Sequence, residues 1–122
     1  MLELVANELH LSNPAISCER FLDLLNNATH KWLFEWGLIF AIENDLHIHI
    51  LSHYRKQVFL RKPLREVAFF MFKKYKTITS SVLKNKPNSL AINLKMGWRI
   101  VKETSDKWYL EMNKEGFRYG KN

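Results

Sequence analysis

The chain has 122 residues, 47% of them hydrophobic, and 19 Lys and Arg outweigh 12 Asp and Glu to give a formal net charge of +7. That length and apolar content suit one packed domain over residues 1–122 and exclude two independent ones. One cysteine, Cys18, excludes an internal disulfide framework and a cysteine-based zinc cluster, and it points to a reducing, cytoplasmic setting.

The positive balance favours a polyanionic partner such as nucleic acid, a phosphate-rich cofactor or an acidic protein. Residues 1–10 lack a basic stretch followed by an apolar block, and no run reaches about 18 uninterrupted apolar residues, so neither export nor a membrane partner is expected.

Residues 1–11 alternate weakly between apolar and polar and are read as a first strand. Asn13-Pro14 has the form of a helix start, and Ile16, Phe21, Leu22, Leu25 and Ala28 recur at helical spacing, which predicts a helix over 14–29. Residues 31–51 are rich in β-formers and read as strands around the turn Glu43-Asn44-Asp45; Gly37 marks either a tight hairpin or a bulge in one bent strand. Pro63 opens a second helix with the stripe Leu64, Val67, Ala68, Met71 and Tyr75, and the nearly all-round apolar run 67–72 buries it on more than one side.

Residues 77–83 predict a further strand. Pro87 or Asn88 then starts a short helix through Leu90, Ile92, Leu94 and Met96 that Gly97 closes. Residues 98–103 and 107–112 form a hairpin over Thr104-Ser105-Asp106, and 113–122 make a loose polar tail. The expected class is α/β (α+β), a mixed central sheet flanked by helices.

Two segments carry a family resemblance. Residues 50–61, Ile50-Leu51-Ser52-His53-Tyr54-Arg55-Lys56-Gln57-Val58-Phe59-Leu60-Arg61, resemble the strand–loop–helix element of the Gcn5-related N-acetyltransferases (GNAT), an apolar strand end followed by R-x-x-G-x-G/A. Arg55 falls on the arginine, while Val58 and Leu60 stand at the two glycines. Residues 85–98 resemble the family's N-x-x-S-x-x-V-x-x-K-x-G-F segment: Ser89, Ile92, Lys95, Gly97 and Trp98 match in register, with Asn85 one residue early and Lys86 at the asparagine's place. A narrower resemblance is to the GNAT-like internal virion proteins of short-tailed phages.

The resemblance implies a single GNAT-like domain that binds acetyl-CoA and acylates a protein or small-molecule amine. It implies a cofactor site at Ile50 and Leu51, at Arg55, Lys56, Val58, Leu60, Arg61 and Lys62, and at Ser89 and Asn93 on the last helix, where Asn93 takes the place of the family's tyrosine. A pyrophosphate is well held by backbone N–H groups converging at a helix N-terminus, and glycine lets it come close. Val58 and Leu60 keep the N–H groups but crowd the approach, which the surrounding cations offset. The phage resemblance implies the other class: a non-catalytic protein, in host cytoplasm or virion, that contacts a host protein or nucleic acid. The sequence leaves open whether the chain is an enzyme.

Amine acylation needs a proton acceptor. The titratable candidates at the strand ends are Glu43, His49 and His53, with His47 beside them. Asp45, His47 and His49 alternate on one strand, but three ligands without a fourth fit a half-solvated face better than a metal site, with Leu46, Ile48 and Ile50 facing the core. The aromatic stripe Trp32, Phe34 and Trp36 is expected to pack rather than stack on bases, and Phe69, Phe70 and Phe72 to serve as helix core or as the face of a homodimer.

Overall fold

A computed structural model describes residues 1–54 and 60–116. The chain divides into two compact units, Met1–Val58 and Phe59–Asn122.

The first unit opens with α1 (Leu2–Ser12), where a strand was expected. Leu2, Val5, Ala6 and Leu9 lie at i, i+3, i+4 and i+7, and this stripe outweighs the weak alternation because it matches an apolar surface: Val5 and Ala6 are fully buried with Leu25, Leu38, Phe40 and Leu51. Glu3 in the first turn and His10 in the last both suit the helix dipole.

The expected helix over 14–29 contracts to α2 (Cys18–Asn26). Its cap is Ser17, whose Oγ accepts the Arg20 N–H at 3.1 Å. Asn13 instead ends α1, its N–H donating to Leu9 and His10 carbonyls. His10 Nδ1 donates to the Ile16 carbonyl at 2.7 Å and ties down the connection.

Residues 31–51 resolve into three antiparallel strands, β1 (His30–Phe34), β2 (Gly37–Ile42) and β3 (Asp45–Ile50). Gly37 is the hairpin option, not the bulge: it faces Phe34 across a two-residue turn in which Phe34 and Trp36 stack at 4.6 Å. Its φ is 154°, and a Cβ there would overlap the His49 carbonyl oxygen. The β2–β3 turn places Glu43 at φ 54°, its N–H donating to Thr29 Oγ1 at 2.8 Å.

The expectation for β3 holds in part. Leu46 is buried and His47 is half-buried, as a half-solvated strand requires, but Ile48 is exposed and His49 is buried. His49 opposes Leu38, which is buried with α1 and α2.

The second unit begins with α3 (Arg61–Lys74), which buries Leu64, Val67, Ala68 and Met71 of the expected stripe together with Phe72, while Tyr75 is the C-cap and only half-buried. Phe69 is 51% exposed, and Lys74 Nζ sits 5.5 Å from the Phe70 ring centre. β4 (Thr77–Leu83) pairs antiparallel with β6 (Lys107–Asn113), and β6 with β5 (Arg99–Glu103), which is exposed along its whole length. Ile78 and Val82 oppose Met112 and Trp108 on the apolar face. Thr104 Oγ1 makes the hairpin turn by donating to Asp106 Oδ1 and accepting the Lys107 N–H. The expected tail starts later than 113: Asn113 ends β6 and Lys114–Gly116 form a 3-10 turn, with the remainder outside the described residues.

Between β4 and β5 lies α4 (Pro87–Lys95). Helical geometry turns Ile92 and Leu94 to solvent, so the apolar alternation read across this segment is not its inner face. The helix ends in a Schellman motif: the Trp98 N–H reaches the Asn93 carbonyl at 3.2 Å and the Gly97 N–H the Leu94 carbonyl at 3.3 Å. Gly97 has φ 108° and Trp98 is buried, as the sequence predicted. Gly97→Val is expected to cost more than about 1 kcal/mol in urea unfolding, because a β-branched residue cannot adopt that φ without strain; an unchanged midpoint would contradict this helix end.

Candidate functional site

The Ile50 end of β3 gathers several titratable side chains of the first unit: Glu8, Glu35, His49, His53 and Tyr54. The α1 stripe that buries Val5 and Ala6 sets Glu8, one turn on, over the end of the strand. Glu8 Oε1 lies 2.7 Å from His49 Nε2. The Ser52 N–H donates to both carboxylate oxygens at 3.1 and 3.2 Å, and Ser52 Oγ to Oε2 at 3.0 Å. His49 is 8% exposed. Burial pushes the Glu8 carboxyl up, but the bonds from His49 and Ser52 together outweigh it and hold the group below the ordinary carboxylate value.

Beside this node, Tyr54 Oη donates to Glu35 Oε1 at 3.0 Å. That bond, then desolvation and the Glu35 charge, raise the Tyr54 phenol above its ordinary value. His53 is exposed with its ring 4.5 Å from that of Tyr54.

Of the three proton-acceptor candidates, His49 and His53 stand at this end and Glu43 at the other, a strand length of roughly 16 Å away. Glu43 is exposed in its turn. His47 Nε2 meets Asp45 Oδ2 at 2.7 Å while the ring stacks on Phe40, and among the described residues no cluster of three or more His, Cys, Asp or Glu side chains is arranged to hold a metal ion. Sequence reasoning named His49 but not Glu8, Ser52, Tyr54 or Glu35. The signal for Glu8 was present, because the helical stripe Leu2, Val5, Ala6 and Leu9 puts Glu8 at its margin.

The backbone at Ile50 and Leu51 divides its donors. The Leu51 N–H is committed to the Trp36 carbonyl at 2.8 Å, closing the hairpin. Antiparallel alternation then turns the Ile50 N–H away from β2.

The remaining cofactor candidates belong to the second unit or lie outside the described residues, as Arg55, Lys56 and Val58 do. Leu60 is the N-cap of α3 at φ −84°, a conformation that needs no glycine, and its carbonyl accepts the Leu64 N–H at 2.9 Å. Arg61 and Lys62 are exposed in the first turn, which holds no acidic residue and receives no side-chain cap. Two cations at the positive end of a helix dipole oppose it, an arrangement that an anion relieves. On α4, Ser89 is exposed and its carbonyl accepts Asn93 Nδ2 at 2.9 Å, so the Asn93 side chain is tied back onto its own helix.

No protein-family model and no curated protein sequence matches the chain. Solved structures do. A spermidine N-acetyltransferase from Vibrio cholerae, in complex with CoA and spermine, superposes with a TM-score of 0.72 over 94% of this chain and 87% of that one, at 16% identity. The chain has the N-acetyltransferase fold. A dodecameric form of the Vibrio cholerae enzyme in an intermediate state gives 0.69 over 99% and 94% at 14% identity. The Campylobacter jejuni N-acetyltransferase PseH, in complex with acetyl coenzyme A, gives 0.59 over 80% and 77% at 16% identity. The GNAT resemblance read from residues 50–61 and 85–98 is thus matched by the fold, α/β with a mixed sheet flanked by helices. Among the described residues, no helix of this GNAT fold is long and apolar enough to cross a membrane.

Proposed function

We propose that the chain is an acyl-CoA-dependent N-acyltransferase, with acetyl-CoA as donor and a protein or small-molecule amine as acceptor. The observation that carries this reading is the N-acetyltransferase fold over nearly the whole chain, shared with enzymes solved with CoA or acetyl-CoA. The start of α3 fits the donor's phosphates: Arg61 and Lys62 are exposed, the first turn is free of acidic residues, and Leu60 supplies no competing side-chain cap. Arg55 and Lys56 add to the same cationic stretch of sequence.

When bound, acetyl-CoA supplies the thioester whose C–S bond breaks, its electron pair leaving on sulfur, as the amine nitrogen bonds to the carbonyl carbon. His49 takes the proton that this nitrogen sheds. The departing thiolate is protonated by solvent.

Calorimetric titration with acetyl-CoA tests the reading. Binding is expected at low salt and should weaken steeply towards physiological ionic strength, where exposed cations are screened over about 8 Å. Replacing Val58 and Leu60 together by glycine should tighten it. If neither protein binds acetyl-CoA at low salt, the acyltransferase reading fails. A non-catalytic phage or mobile-element protein that contacts a host protein or nucleic acid then takes its place, a reading favoured by Val58 and Leu60 standing at the family's glycines.

A further inference from the structure

We propose that four lysines where α3 runs into β4, Lys73, Lys74, Lys76 and Lys114, form a docking surface for the phosphate backbone of a nucleic-acid duplex. This surface shares no residue with the acyltransferase site and does not depend on that reading.

Charge is divided unevenly between the two units. Met1–Val58 holds four Lys and Arg against seven Asp and Glu, a net charge of −3, whereas Phe59–Asn122 holds fifteen against five, a net charge of +10. An excess of that size on one half of a chain is the footprint of a polyanionic partner, and the few phosphates of acetyl-CoA do not account for it.

The fold collects four of these cations at one end of the second unit. Lys73 and Lys74 close the last turn of α3, Tyr75 turns the chain into extended geometry, and Lys76 leads into β4. Lys114, directly after β6, joins them because its N–H donates to the Lys76 carbonyl at 3.1 Å, beside the Thr77–Asn113 pair. All four are exposed. Among the described residues no carboxylate lies within ion-pair distance of any of them, and Glu111 on β6 is held by Arg99 at 2.7 Å. The helix dipole favours cations in the last turn, which accounts for Lys73 and Lys74 but not for Lys76 or Lys114. Four like charges held together repel one another, and a row of phosphates relieves that repulsion.

Position separates this patch from the donor site: Lys73 follows Arg61 by 12 residues, about 18 Å along the axis of α3. Chemistry favours a duplex over other polyanions. Lysine is a point charge with three rotatable donors, which suits phosphates in a row, whereas carboxylates are matched best by the planar fork of arginine. A duplex presents such a charge about every 1.7 Å of its axis. An anionic membrane calls for an apolar face to insert, yet the apolar stripe of α3 is buried and Phe69 alone of the run 67–72 is exposed. Contacts made to phosphate alone carry no sequence preference.

Fluorescence anisotropy of the full chain with short labelled DNA duplexes of two unrelated sequences tests the proposal. Both should bind alike, with the logarithm of the binding constant falling linearly with that of salt at a slope of about −3 to −4, the value for four neutralised phosphates. Changing Lys73, Lys76 and Lys114 together to glutamine should make that slope shallower by about 2 to 3 and weaken binding by roughly tenfold or more. Changing Lys86, Lys102 and Lys107 together removes the same charge elsewhere on the second unit and should alter the affinity less than about threefold. An equal loss in the two triple variants overturns the proposal, because net charge and not this patch would then hold the duplex. So does the absence of binding at low salt. Binding to vesicles rich in anionic lipid without binding to duplex means a membrane surface, and displacement of the duplex by polyglutamate as readily as by unlabelled duplex means an acidic protein; either outcome overturns it. Should the first triple variant fail to fold, Lys114→Gln alone decides, with an expected loss of about 1 from the slope. Calorimetry with acetyl-CoA keeps the two readings apart: the Lys73, Lys76 and Lys114 variant should bind it as the native chain does, and a chain that binds duplex but no acetyl-CoA sinks the acyltransferase reading alone.

Discussion

Gly37→Ala is expected to lower the melting temperature by about 10 °C or more, corresponding to roughly 3 kcal/mol for a chain of this size. Two costs coincide at this residue. Its φ of 154° is one that residues with a Cβ rarely adopt, and a Cβ built there would overlap the His49 carbonyl oxygen on the neighbouring strand. The obstacle is backbone rather than the end of a flexible side chain, so relief requires β2 and β3 to part. That would break the register that pairs Leu38 with His49 and Gly37 with Ile50 and draws the Leu51 N–H onto Trp36. Loss of the register also displaces His49 from Glu8. A melting temperature within about 2 °C of the native value would mean that this strand pairing is wrong.

What could be read from the sequence divides along a physical line. α3 was legible because Leu64, Val67, Ala68 and Met71 satisfy the helical period and nothing else. Gly97 was legible because a glycine between a short helix and an aromatic residue has one common use. α1 was not, since Met1 to Leu11 has apolar residues that fit period 2 about as well as period 3.6, and only the buried surface it meets decides between them.

The candidate site shows the same limit in sharper form. Alternation along β3 separates two faces but does not say which is covered. Polarity argued that the side bearing His47 and His49 is the solvated one; His47 is half-buried and Leu46 opposite is core, yet His49 is covered by α1 because the Glu8 carboxylate meets its Nε2. The Glu8–His49 pair joins residues 41 apart in sequence, a separation that no local pattern reaches. By contrast, the cationic start of α3 at Arg61 and Lys62 is legible in the sequence, because a local run of basic residues needs no distant segment to be seen.

Glu8→Ala is expected to cost about 2–4 kcal/mol at neutral pH, because it strands a buried imidazole N–H and the Ser52 N–H and hydroxyl at once, each unmet donor costing roughly 1–3 kcal/mol where water cannot replace the acceptor. Ser52 is exposed and can turn to solvent, so most of the loss falls on His49, whose side chain is 9% exposed. The pH dependence follows from the direction of the Glu8 shift. Its carboxyl sits below the ordinary value of 4.5 in the folded chain. A carboxyl depressed by folding stabilises the native state fully above its unfolded value, and this contribution is lost as pH falls through the folded one. The gap in unfolding free energy between the native chain and Glu8→Ala should therefore narrow as pH falls below about 5, as the native protein gives up what the variant never had. Urea unfolding at a series of pH values measures it. A gap that stays constant into strong acid, or one below about 0.5 kcal/mol at neutral pH, would mean that the Glu8 carboxylate does not hold the end of β3.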